Sequence, residues 1–184
     1  MNKINSQRGF TIVELLIVIV VIGILAAIAI VAFNGIQTRA ANAKTVSAAG
    51  AYAKAIKLYH ADKGQYPSVS RACLGTGYPT GNGGGGTTQC RLSSSDVENP
   101  TLNAEIKPYL SNSLPSPDMT AIGTSTDWFR GILYYSDGTY QLLAVTIRGI
   151  TSSTQCPSIA GSTLLSGNST VHDGGISCRY RIEV

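Results

Sequence analysis

The feature that most constrains this chain is an apolar run with a single acid in it. From Phe10 to Phe33, a stretch of 24 residues, only Thr11, Glu14 and Gly23 fall outside the apolar set. As an α-helix rising 1.5 Å per residue, such a stretch would cross the ~30 Å hydrocarbon core of a bilayer. Lys3 and Arg8 precede it and would hold its start on the cytoplasmic side. A cleaved secretory signal has an apolar region of ~7–15 residues closed by a small-residue cut site. This run is longer, and Ala32-Phe33-Asn34 makes a poor site. A plain signal anchor has the right length but gains nothing from Glu14. A carboxylate costs about 2.5–3.5 kcal/mol at the centre of an inserted helix, less toward the interface, and calls for a partner. The cation on offer is the α-amine that a cut before Phe10 would create, with a pKa near ~8.

These residues carry a resemblance. Arg8-Gly9-Phe10-Thr11-Ile12-Val13-Glu14, continuing into Leu15-Leu16-Ile17-Val18, resembles the cleavage and assembly motif of type IV prepilins and type II secretion pseudopilins. That motif is a short basic leader, a Gly, the cut, a Phe, and Glu as the fifth residue after the cut. The resemblance implies that a membrane aspartyl prepilin peptidase cuts between Gly9 and Phe10 and N-methylates Phe10. It implies that Glu14 sets subunit register by pairing with the Phe10 amine, its own or a neighbouring subunit's, in a filament core. It further implies a homopolymer assembled by a cytoplasmic ATPase through a membrane platform. The subunit would sit in the cytoplasmic membrane as a single-pass protein before assembly and in an extracellular pilus filament afterwards. A type II secretion pseudopilin is the alternative, and a minor pilin binding DNA or a surface is another. One departure is Val31, where many pilins carry a helix-breaking proline. Gly23 remains a weak point, at about 1 kcal/mol against Ala in a helix.

The expected fold is α+β and pilin-like: a long N-terminal helix, its first half transmembrane and its second half packed on an antiparallel β-sheet. The expected division is a leader at 1–9, a membrane and polymerisation helix at 10–33, and a soluble domain at 34–184. Past Phe33, Ile36, Ala40, Ala43, Val46, Gly50, Ala53, Ile56 and Tyr59 recur at three- and four-residue steps, which predicts one buried helical face. No proline intervenes before Pro67, and Gly64 is a natural stop. One helix to about Lys63 would be roughly 80 Å long. Tyr59, Asp62, Gly64, Tyr66 and Pro67 resemble the exit from the long helix in pilins and major pseudopilins. Pro108-Tyr109-Leu110 with Leu114-Pro115 resembles the connector that precedes their sheet.

Cys73, Cys90, Cys156 and Cys178 all follow the apolar run, and an even count in an exported domain suggests two disulfides. Of the three pairings, Cys73–Cys90 with Cys156–Cys178 is favoured because each closes a short local loop. The region between Cys156 and Cys178 resembles the disulfide-bounded C-terminal region of many pilins. Residues 71–93 read as a surface loop held by Cys73 and Cys90, since Gly81 and Gly83 to Gly86 are too flexible for a helix or strand interior. Thr101 to Leu110 reads as a short helix disturbed by Pro108. Trp128–Tyr135 and Tyr140–Ile147 flank Asp137-Gly138, a strong hairpin signal. Cys178, Tyr180 and Ile182 alternate with Arg179, Arg181 and Glu183 in a final strand.

Charge and chemistry exclude more than they propose. Without residues 1–9 the chain keeps 12 basic against 10 acidic residues, too little to imply nucleic acid, which is not an expected partner. Arg148, Arg179 and Arg181 would form a basic patch if their strands are neighbours. No cofactor or metal is expected. There is no CxxC spacing, no EF-hand loop and no Gly-x-Ser-x-Gly elbow. His172 beside Asp173 reads as loop decoration, and no enzyme activity is expected. Asn168-Ser169-Thr170 matches a glycosylation acceptor, a pattern that chance supplies often.

Overall fold

The computed structural model describes residues 9–79, 88–92, 96–111, 113–137 and 139–183, apart from the side chains of residues 31, 32 and 166. Residues 1–8 of the leader, the glycines at 81–86 and Gly138 of the hairpin signal lie outside the described residues. The chain divides between Gln37 and Thr38 into two compact units, and the helix α1 (Ile12–Lys63) contributes to both.

In the first unit every described side chain from Gly9 to Ile30 is exposed. Backbone hydrogen bonds are satisfied within the helix, as they must be in a lipid-compatible segment. The large apolar side chains there keep about half or more of their surface exposed.

The second unit is an α+β layer. After α1 come β1 (Arg71–Cys73), α2 (Pro100–Ile106), β2 (Ile122–Gly123) and β3 (Trp128–Phe129). They are followed by β4 (Ile132–Ser136), β5 (Gln141–Arg148), β6 (Ser162–Leu164), β7 (Thr170–His172) and β8 (Gly175–Ile182). The main sheet runs β1-β4-β5-β8-β6, with β7 also on β8, and every pairing is antiparallel. The Asp137 turn joins β4 to β5 in register Ser136↔Gln141. Its carboxylate accepts the N–H groups of Thr139 (3.0 Å) and Tyr140 (2.7 Å), the usual way an Asx side chain fixes a turn.

Side chains alternate across the sheet, so each strand feeds two clusters. Ile132, Tyr134, Leu143, Val145, Ile147, Ile176, Cys178, Tyr180 and Ile182 pack with Ala48, Ala49, Tyr52, Ala53, Ala55 and Ile56 of α1. The alanines bring helix and sheet close, and each fully buried Ile or Leu contributes about 1.5–3 kcal/mol. Leu133 and Ala144 face the other way, into a smaller cluster with Cys73, Tyr78 and Cys90. Two disulfides join Cys73 to Cys90 and Cys156 to Cys178.

Four expectations need correction. The buried face of α1 is Thr45, Ala48, Ala49, Tyr52, Ala53, Ala55, Ile56 and Tyr59, whereas Ile36, Ala40 and Ala43 are exposed. With alanine on nearly every face, Ile36 was a misleading anchor for the stripe. Residues 71–79 are not a surface loop, because Cys73 and Leu74 are 0 % exposed, Tyr78 is 2 % exposed, and Arg71–Cys73 pairs with β4. Trp128–Tyr135 is two strands rather than one. Gly131 sits at φ 61° between them, and a Cβ there would run into the ring and hydroxyl of Tyr78. β3 therefore pairs with β2 in a separate two-stranded sheet. Finally, His172 ends strand β7 instead of lying in a loop, and its side chain is 4 % exposed.

Candidate functional site

The sequence motif converges on the first turn of α1. Gly9 and Phe10 precede the helix, and Phe10 is 87 % exposed. Thr11 takes the N-cap position before Ile12. Its N–H donates to Glu14 Oε2 at 2.8 Å, and its hydroxyl donates to the same oxygen at 2.7 Å. In return the Thr11 hydroxyl oxygen accepts the Glu14 N–H at 3.2 Å. This is a reciprocal capping box, in which two donors that a helix start leaves without partners are satisfied by side chains. Glu14 thus acts in the isolated chain as a helix-start residue, a role the Thr-x-x-Glu spacing could have disclosed. Both bonds land on Oε2, and among the described residues Oε1 takes none.

The apolar surface that follows wraps the helix completely. Ile12, Val13, Leu15, Leu16, Ile17 and Ile19 are between 55 % and 86 % exposed, and Ile24, Leu25, Ile28 and Ile30 between 57 % and 65 %. A helix apolar all round belongs inside lipid or inside a larger assembly. It is long and apolar enough to cross a membrane.

The two sequence passages at the far end of α1 meet in space. Gly64, at φ 69°, closes the helix with its N–H on the His60 carbonyl at 2.8 Å, the left-handed stop that glycine favours. The Tyr109 hydroxyl donates to Asp62 Oδ2 at 2.6 Å, and its ring stands edge-on to Tyr59 at 5.8 Å. That hydrogen bond, and then Lys63, hold the Asp62 carboxyl below its ordinary range. Tyr52, 0 % exposed, donates to the Pro115 carbonyl at 2.7 Å. At the start of the second unit, Asn42 pairs both ways with the Arg148 backbone, at 2.9 and 3.0 Å.

Other candidates are not brought together. His172 lies by Asp127, Nδ1 to Oδ2 3.5 Å, with its ring 4.6 Å from Phe129. Burial lowers the His172 pKa from 6.5. Among the described residues no group of three His, Cys, Asp or Glu side chains is placed to hold a metal ion. Of the three arginines expected to share a patch, Arg148 pairs with Asp118 at 3.0 Å and Arg181 with Glu183 at 3.4 Å. Arg179 instead shares a cavity wall with Arg71 and Arg91.

Comparison with known proteins bears on the same N-terminal segment. Residues 4–30 match the family signature described as the prokaryotic N-terminal methylation motif. The chain is similar to fimbrial protein EcpC of Eikenella corrodens, 42 % identical over 66 residues, which is 36 % of this chain and 43 % of that one. It is similar to type II secretion system core protein G of Escherichia coli, 35 % identical over 71 residues, 39 % of this chain and 49 % of the relative. Similarity to fimbrial protein Q of Moraxella bovis reaches 38 % over 94 residues, 50 % of this chain and 58 % of the relative. The chain spans about half the length of the curated relatives it matches. No solved structure matches it.

Proposed function

From the premise that this chain belongs, through its N-terminal segment, to the type IV pilin and pseudopilin family, we infer that it is a filament subunit. It is cut between Gly9 and Phe10 by a prepilin peptidase, methylated on Phe10, and polymerised through the apolar start of α1. One observation carries the reading. The side chains from Phe10 to Ile30 are uncovered on every side, and the helix they clothe opens on a Thr11–Glu14 cap immediately after the Gly9–Phe10 junction.

The chemistry follows from that arrangement. Before assembly the apolar segment rests in the cytoplasmic membrane. In the filament, parallel copies replace lipid contacts with close helix packing. Cleavage turns the Phe10 nitrogen from an amide into a cationic amine. Glu14 Oε2 stays occupied by Thr11, and Oε1 accepts from the amine of a neighbouring copy. Misregister would strand both charges in a dry core, at a cost of several kcal/mol, so the pair selects one axial position. Energy for extraction from the membrane comes from an assembly ATPase and its platform. The filament is a surface pilus in the first reading. The similarity to core protein G favours a second, a short secretion pseudopilus.

Intact-mass analysis of sheared surface fibres tests both steps. The expected subunit begins at Phe10 and carries one added methyl group, and Gly9→Val leaves uncut precursor in the membrane. A mature protein that keeps its first nine residues would overturn the proposal. Fibres absent from the surface but present in the periplasm would select the secretion reading.

A further inference from the structure

The sheet face opposite the α1-packed one carries an unusual concentration of guanidinium groups. Register places Cys73, Leu133, Ala144 and Arg179 in one row across β1, β4, β5 and β8, and Arg71, Tyr135, Leu142 and Arg181 in the next. Ala144 is the smallest residue in the middle of these rows. Over it lies a cavity of about 150 Å³, with Leu133 and Ala144 at its base and Arg71, Arg91, Arg179 and Tyr135 around it. Ser177, 2 % exposed, adds its hydroxyl to the lining.

The arginines are held in place from behind. Asp96, 0 % exposed, takes Arg71 through both carboxylate oxygens, Nε on Oδ1 and Nη2 on Oδ2, and lies 3.8 Å from Arg91 Nη1. Arg91 rests over the Phe129 ring at 4.8 Å and Arg71 over the Tyr135 ring at 5.5 Å, each a favourable cation–π contact. Arg179 Nη2 donates to Thr170 Oγ1 at 3.5 Å. Two of the three positive groups therefore share one buried carboxylate, and Arg179 brings a third charge to the cavity wall. The other acid whose charge reaches Tyr135, Asp137, stands exposed at the turn. Burial raises the Tyr135 pKa despite the arginines, so its hydroxyl stays a donor.

We propose that this cavity binds a phosphate group, free or as the terminal phosphate of a small ligand. Guanidinium forks match phosphate geometry, and charge-assisted bonds of this kind are about twice as strong as neutral ones. Three guanidiniums around one small space fit three terminal oxygens better than the two of a carboxylate. Because Asp96 and the aromatic rings hold two of them beforehand, little ordering remains to oppose binding. This inference does not depend on filament formation.

The test uses the full chain in a nonionic detergent, with thermal unfolding and titration calorimetry. Inorganic phosphate should raise the unfolding midpoint above that in chloride of equal ionic strength, and acetate should not. Arg179→Gln should weaken phosphate binding about tenfold or more, as expected for one charge-assisted contact, while its midpoint in chloride changes little. Should that variant fail to fold, Arg91→Gln, whose parent side chain is 38 % exposed, takes its place with the same expected loss. A phosphorylated monosaccharide binding more tightly than inorganic phosphate would identify a ligand-borne group, and equal affinity would identify the free ion. No shift beyond chloride, an equal response to acetate, or unchanged affinity in the arginine variant would each overturn the proposal.

Discussion

Residues 12–37 and 38–63 belong to one helix, the first rich in Ile and Val and the second in Ala with interspersed Lys, and they solve opposite problems. In the second stretch Ala48, Ala49, Tyr52, Ala53, Ala55 and Ile56 lie at 0–3 % exposure against the sheet. In the first, Leu15, Ile19, Leu25 and Ile28 remain 59–64 % exposed. Apolar composition alone does not say where a helix is buried. What separates the stretches is composition and distribution together, since the first is apolar on every side and the second carries exposed Lys44 and Lys54 away from its buried face. The teaching is that stability and assembly should be separable, because each stretch answers to a different surrounding.

Mutations can break or sharpen that contrast. The largest effect is expected from Glu14→Ala. If the Phe10 amine is left without its counter-charge in a packed fibre, the loss is about 3–5 kcal/mol per contact. Filament yield by shearing and quantitation should then collapse, while cleavage and the unfolding midpoint of the soluble unit hold. Undiminished yield would remove Glu14 from the assembly scheme.

A matched pair of truncations comes next. Ile56→Ala opens a fully buried site and should cost about 2–5 kcal/mol in denaturant unfolding. Leu25→Ala, at a position 61 % exposed, should leave the same curve in place and reduce fibre yield instead. Equal effects on unfolding would erase the distinction between the stretches. Tyr109→Phe, which removes one exposed hydrogen bond to Asp62, should then lower the unfolding midpoint slightly and leave fibre yield unchanged.

The smallest effect is a pH dependence confined to the second unit. His172 is buried, and burial lowers its pKa from 6.5, so the unfolded chain binds the proton more readily. Stability is fully present above the unfolded value and declines as pH falls below it. Unfolding midpoints measured from about pH 7.5 down to about pH 5 should show the decline, and His172→Gln should flatten it.

What the sequence disclosed depended on periodicity. The long helix, the Asp137 hairpin and the alternation of Cys178, Tyr180 and Ile182 against Arg179 and Arg181 rest on repeated local signals, and the fold follows them. The strands β1, β6 and β7 have three residues each, too few to show a period, so the sheet's edges were hidden. The buried face of α1 keeps the expected Ala53, Ile56 and Tyr59 but leaves Ile36, Ala40 and Ala43 exposed, because alanine fits either face. At the candidate assembly site, Gly9, Phe10 and Glu14 stand out by their register in the motif. The partnership of Glu14 with Thr11 is legible as well, since its Thr-x-x-Glu spacing is a standard helix-start signature. The cavity arginines come from positions 71, 91 and 179, and the sheet register brings in Arg71 and Arg179 while a bridge to Phe129 brings in Arg91.

The position of β8 sets an order of events. Residues 175–182 form an interior strand, bonded to β5 on one side and to β6 and β7 on the other. Until this segment is made, β5 has no partner on that side and β6 and β7 have nothing in the main sheet to pair with. Cys73 can find Cys90 early, but Cys156 has no partner until Cys178 arrives. The first disulfide thus needs nothing beyond residue 90, whereas the second closes only once β8 exists.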